Sequence, residues 1–189
     1  MRTIEVRRHA LTKKGDGRGK GSHLSAEGVA QARNIGASLG RFDLVLTSQI
    51  PRTLETALAM GFAVDDQLAA LGEIPAAVWD EIGHQERWAW KDPFAQFARF
   101  AAAGGPTAEM GKRQKAIWQT ALESVPDDGC VLIVSHGRVI ESGLVTCLPS
   151  GDFAAWGGPF HHGEGFQLTY DDGAFSSPQL RRNPRDAST

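Results

Sequence analysis

The sequence is short of everything that builds a disulfide framework, a zinc site or a membrane span. Of its 189 residues only Cys130 and Cys147 are cysteines. Both lie in apolar stretches, without a spaced Cys/His set around them. They read as reduced, buried thiols of a cytoplasmic protein, and no metal is expected. No apolar run approaches the roughly 20 residues that a membrane-spanning helix needs. The opening residues enter a strand pattern at once, so no secretory leader is expected. An excess of one charge is also missing. Twenty Lys and Arg against 22 Asp and Glu leave a formal net charge of -2. Nothing then draws the chain as a whole to nucleic acid or to an anionic membrane, and any anion site must be local.

The composition present is that of a globular protein, with 41% apolar and 22% charged residues, and the length suits one domain. Strand patterns at 3–8, 42–47, 130–134 and 165–170 alternate with helical ones at about 25–39, from 52, from 107 and at 138–147. That alternation predicts an α/β fold with a mostly parallel central sheet. One domain is expected over 1–175. Within it, about 73–106 is rich in Trp and Phe and forms a helical flap packed on the body. Its aromatics, which include Trp79, Trp88, Trp90, Phe94, Phe97 and Phe100, lack the basic stripe of a nucleic-acid stacking platform. Residues 176–189, rich in Arg, Pro, Asp and Ser, are expected to be loosely ordered.

Chemistry collects where strands end. The first strand delivers Arg8 and His9 side by side. A guanidinium holds two phosphate oxygens at once, and a neutral imidazole nitrogen can attack phosphorus. The strand over 130–134 ends in Ser135-His136-Gly137 before a helix, where open α/β sheets place their ligands. Arg52 falls in the first turn of another helix, whose free N–H groups favour an anion. The loop from Leu11 to His23 combines Lys13, Lys14, Arg18 and Lys20 with four glycines. It reads as a solvated loop or as a cationic rim above a phosphate site. Its tail Gly19-Lys20-Gly21-Ser22 fails the nucleotide-binding P-loop pattern at two places. His161 and His162 are adjacent, but with no companion ligands they read as part of a polar loop.

In order along the chain, these segments resemble the histidine phosphatase superfamily, the phosphoglycerate-mutase-like proteins. The carriers of the resemblance are Arg8-His9-Ala10, Leu24-Ser25-Ala26-Glu27-Gly28-Val29-Ala30-Gln31-Ala32, Thr47-Ser48-Gln49-Ile50-Pro51-Arg52 through Thr56-Ala57, Leu71-Gly72-Glu73 with Trp79, and Val134-Ser135-His136-Gly137. Ala10 stands where the family usually has Gly, Leu11-Thr12 replaces its Glu/Gln-Thr, and the loop before Leu24 is short. These departures bear on mutase activity more than on phosphate binding.

The resemblance implies a three-layer α/β/α sandwich and a metal-independent, cofactor-free phosphomonoesterase of the histidine acid phosphatase type. His9 would be the nucleophile that forms a phosphohistidine. Arg8, Arg52 and His136 would surround the phosphoryl oxygens. Glu73 would be the general acid, with a pKa raised by burial under the flap; Asp80 and Glu81 are its rivals. Lys20, His23 and His161 would belong to the substrate loops. The expected substrate is a small phosphate ester or a phosphoprotein, handled by a monomer or a homodimer with no nucleic-acid or membrane partner. A phosphoglycerate-type mutase and a phosphate-binding module without turnover are the alternatives.

Overall fold

The structure, a computed structural model, describes residues 1–14, 22–83 and 90–183. In chain order the elements are β1 (Arg2–Arg8), α1 (Ala26–Gly36), β2 (Leu44–Thr47), α2 (Pro51–Ala59), β3 (Asp66–Gln67), α3 (Ala76–Ile82), α4 (Pro93–Ala103), α5 (Pro106–Glu123), β4 (Cys130–Ser135), α6 (Val139–Cys147), β5 (Gly165–Asp171) and β6 (Ala174–Arg181). The six strands form one sheet in the order β3-β2-β4-β1-β5-β6. The pairs from β3 to β1 are parallel, and β5 and β6 add antiparallel pairs at one side.

The alternation of strand side chains divides the core into two layers. Val131 and Ile133 of β4, with Ile4 and Val6 of β1, pack against Trp118, Leu122, Ile140 and Leu144 of α5 and α6. Leu132 and Val134 point the other way and meet Ala57 of α2. The sheet is thus covered by helices on both faces, which makes the three-layer α/β/α sandwich. The aromatic residues of α4 belong to this core. Phe94 and Phe97 are fully buried, and Phe94 meets the rings of Trp156 and Phe160 edge-on at 5.4 and 5.3 Å. Trp88 lies outside the described residues.

Three local features differ from the sequence pattern. Residues 174–181, which include the start of the expected loose tail, form the edge strand β6. The composition hides it because an edge strand tolerates proline. Pro178 sits there beside a register irregularity and next to Ser177, whose φ is 53°. Beyond it, the Arg182 guanidinium donates to Glu164 and to the carbonyls of Trp156 and Gly158. Cys130 is half-buried rather than buried, at the start of β4, while Cys147 is buried; both are free thiols. Helix α1 stops at Gly36, not near Leu39. Among the described residues no helix is long and apolar enough to cross a membrane.

Candidate active site

Parallel pairing of β1 with β4 puts Arg8 level with Ser135. The next residue of each strand is a histidine, so the two imidazoles leave the sheet together. Their ring centroids are 5.2 Å apart. The His9 backbone N–H donates to Ser135 O at 3.0 Å, which locks the two strand ends in step.

Hydrogen bonding fixes the orientation of His9. Its Nδ1 lies 2.9 Å from the carbonyl oxygen of Ala10. A carbonyl only accepts, so the proton is on Nδ1 and the lone pair is on Nε2. Arg52 Nε donates to that Nε2 at 3.1 Å. Helix α2 holds Arg52 in place from Pro51 at its first turn, and Thr56 Oγ1 ties the helix to β1 by accepting from the Ala10 N–H at 3.0 Å. The remaining nitrogens of Arg52 donate to Ser22 Oγ at 2.8 Å and to His136 Nδ1 at 3.3 Å. One guanidinium therefore spans both imidazoles.

Arg8 is held from the opposite side. Its Nη1 donates to Phe160 O at 2.7 Å, and its Nη2 faces His162 Nε2 at 3.4 Å. Phe160 is fully buried, so the aromatic core positions this phosphate ligand candidate. The loop is tied to α1 as well. Gln31 Nε2 donates to His162 O at 2.8 Å, while Gln31 Oε1 accepts from Leu11 N–H. The glutamine of the Gly-x-x-Gln-Ala pattern thereby clasps two site loops.

Together Arg8, His9, Arg52, His136, Trp79 and Arg138 wall a cavity of about 280 Å³, closed by Ile50, Gly72, Ile74 and Gly137. The Arg138 guanidinium lies 4.4 Å from the Trp79 ring centroid, a cation–π contact. Its backbone takes a left-handed φ of 70°, and its N–H donates to the fully buried Glu141 carboxylate. Glu141 also accepts from Phe160 N–H at 3.1 Å, so one carboxylate anchors both the Arg138 turn and the loop that holds Arg8.

Burial governs the charge state of both histidines. His136 has its pKa lowered to about 3, first by desolvation and then by Arg52 and Arg8. His9 is also pushed well below the usual value, by desolvation and then by His136 and Arg8. Both rings are neutral at pH 7, the state in which a nitrogen can attack. An unfolded His136 takes a proton near pH 6.5, whereas the folded ring resists it down to about pH 3. Between those values the unfolded state binds more protons, so stability is complete above about pH 6.5 and is lost as the pH falls. Urea unfolding from pH 6 to pH 4 should show this loss. His136→Gln should make the slope shallower by about 1.4 kcal/mol per pH unit. Equal slopes would contradict a neutral His136.

The other expected site residues are placed less centrally. Glu73 is exposed, not buried under the flap, with its side chain 60% accessible and its Oε2 3.4 Å from Arg113 Nη1. The apolar neighbours Leu71 and Ile74 take the inward positions, which leaves Glu73 facing α5. It lines a second depression of about 350 Å³ that shares Ile50 and Gly72 with the first. Glu81 Oε2 instead accepts from Thr107 N–H at the start of α5, and Asp80 is exposed. His23 pairs with Glu55 of α2. His161 is exposed, and its neighbour His162 carries the ring near His9, with centroids 5.2 Å apart. Lys20 lies outside the described residues. Ser22, Ser48 and Arg138 belong to the site although nothing in their own spacing marks them. The only sign of Arg138 is its place directly after His136-Gly137.

Two imidazoles and a bridging guanidinium at the C-terminal ends of neighbouring parallel strands, with a second guanidinium beside them, make a compact pocket with the donors to hold an oxyanion. The family model of the histidine phosphatase superfamily (branch 1) matches residues 5–181, and the chain belongs to that superfamily. Solved structures share the fold. A phosphoserine phosphatase from Entamoeba histolytica, in complex with 3-phosphoglyceric acid, aligns with a TM-score of 0.69 and 18% identity over 97% of this chain and 98% of its own. A mycobacterial glucosyl-3-phosphoglycerate phosphatase in complex with VO3 gives 0.67 and 20% over 96% and 99%. A phosphoglycerate mutase from Bacillus anthracis gives 0.64 and 20% over 92% and 90%. A sequence comparison with curated proteins gives no match.

Proposed function

We propose that this protein is a phosphohydrolase that cleaves a small phosphate monoester through a phosphohistidine on His9. The observation that carries this reading is the lone pair of His9 Nε2, held toward the cavity by the Nδ1–H bond to Ala10 O and met there by Arg52. In the first step the Arg52 N–H turns from Nε2 to a phosphoryl oxygen, the freed lone pair forms a bond to phosphorus while the ester P–O bond breaks, and the leaving oxygen takes a proton from the general acid. In the second step water attacks the phosphorus and gives a proton to the carboxylate left by the first step, the P–N bond breaks, and the electron pair returns to Nε2 as inorganic phosphate leaves. Arg8 and Arg52, with His136, neutralise the equatorial oxygens as charge spreads over them.

Glu73 is the proton donor in this reading. It lines the depression that adjoins the cavity through Ile50 and Gly72, which supports this role. Its exposed pairing with Arg113 is of a kind worth about 1 kcal/mol or less, so little holds the carboxyl away from the substrate. Glu73→Gln should lower kcat for alkyl phosphates by about 10²–10⁴-fold. p-Nitrophenyl phosphate, whose leaving group needs no proton, should be far less affected. Equal losses on both substrates would remove Glu73 from this role.

The structural neighbours include phosphatases and a phosphoglycerate mutase, so hydrolysis and transfer are separated by assay. A panel of phosphate esters, assayed for released phosphate with a chelator present, tests the proposal. Steady release of phosphate is expected. Movement of phosphate between positions of a phosphoglycerate, with none appearing in solution, would make the protein a mutase. Saturable phosphate binding with no turnover would make it a binding module.

A further inference from the structure

Ser48 ends up fully buried just past β2, and three hydrogen bonds meet at its hydroxyl. His136 Nε2 and Thr53 Oγ1 each lie 2.8 Å from Ser48 Oγ, and Ile50 N–H donates to it at 3.2 Å. The roles are set by groups that have no choice. Arg52 Nη2 can only donate, and it faces His136 Nδ1 at 3.3 Å. Nδ1 is therefore the acceptor, and the single proton of the neutral ring is on Nε2, from which it is donated to Ser48 Oγ. With the Ile50 N–H on its other lone pair, Ser48 gives its own proton to Thr53 Oγ1. Thr53 in turn donates to Ile50 O at 2.8 Å. The donors run one way, from the ring through two hydroxyls to a backbone carbonyl.

The backbone of Gly72 seals this chain. A Cβ there would lie 3.0 Å from His136 Nε2 and 2.8 Å from Ser48 Cβ, so no larger residue fits without displacing the pair. Ser135 Oγ holds the segment down by donating to Leu71 O at 2.5 Å.

We propose that Ser48 is a positioning residue for His136: while Arg52 donates to Nδ1, Ser48 accepts from Nε2–H and so holds the tautomer in which Nδ1 is the nitrogen that meets a phosphoryl oxygen. The second half rests on the phosphoryl-transfer reading given above. When a phosphate dianion arrives, Nδ1 takes a proton from solvent and donates it in a hydrogen bond to the anion. Ser48 remains the acceptor for Nε2–H in both charge states. Arg8, Arg52 and Arg138, with His9, face His136 around the cavity and oppose that proton until the dianion is present.

Nitrogen-15 spectra of histidine-labelled protein test the proposal, with the His136 resonances assigned by their loss in His136→Gln. The wild type should show a pyrrole-type Nε2 and a pyridine-type Nδ1, and saturating inorganic phosphate should protonate Nδ1. Ser48→Ala leaves the buried Nε2–H without its acceptor, and Ser48→Cys fills the volume with a weak one. In both variants the two nitrogen shifts should converge as tautomers mix. kcat/KM for p-nitrophenyl phosphate should fall about tenfold or more, as expected for loss of a buried hydrogen bond. A phosphate-free wild-type ring protonated on Nδ1, or variants that keep the wild-type pattern, would overturn the proposal. Full recovery by cysteine would overturn it too, because it would mean that Ser48 only fills space. The spectrum is read without turnover. A wild-type protein that hydrolyses no phosphate ester would therefore remove the activity and leave the tautomer to be judged by its own resonances.

Discussion

His9→Ala should lower kcat/KM for every phosphate ester substrate by at least about 10⁴-fold, because it removes the only bond-forming atom of the proposed first step. The protein should stay folded. The ring lies at the cavity wall, and its replacement removes a desolvated group that both Arg8 and His136 disfavour in its charged form. Unchanged far-UV circular dichroism and retained binding of inorganic phosphate would separate lost chemistry from lost structure. Activity within tenfold of the wild type would mean that another group attacks phosphorus.

The second large effect is expected at Arg52. Three different nitrogens of this one side chain reach His9, His136 and Ser22. A planar fork can do this, whereas a lysine ammonium on a flexible stem cannot. Removing a guanidinium that neutralises a transferring phosphoryl group costs about 10³–10⁵-fold in rate. Arg52→Ala should fall in that range, and Arg52→Lys should recover less than tenfold of the loss. Steady-state kinetics on p-nitrophenyl phosphate, together with titration of inorganic phosphate, would measure both. A lysine variant within tenfold of the wild type would show that charge suffices and that bridging the two imidazoles matters little.

Much of the site was legible because its main residues sit at points the chain marks strongly. Arg8, His9 and His136 close strands whose apolar runs are unmistakable, and parallel register brings such ends level. Arg52 follows a proline at the first turn of a helix. What stayed hidden depends on tertiary contact. Ser48 is one more serine in a turn until the backbone of Gly72 packs over it and His136 swings to its hydroxyl. His162 looks like half of a loop dipeptide until Gln31 and Asn183 hold its carbonyl and leave its ring beside His9. Glu73 was placed by its pattern, but the exposure of its carboxylate follows from which neighbours turn inward. Strand β6 was concealed by a composition of Ser, Pro and Arg that suits an edge as well as a tail.

The most direct test of the account is rapid acid-free quenching of the wild-type enzyme with a phosphorus-32-labelled aryl phosphate, followed by mapping of the modified residue. A phosphoenzyme that is stable in alkali, labile in acid and carried on Nε2 of His9 is the predicted result. Steady release of phosphate with no such adduct, or an adduct on Nδ1 or on another residue, would contradict it.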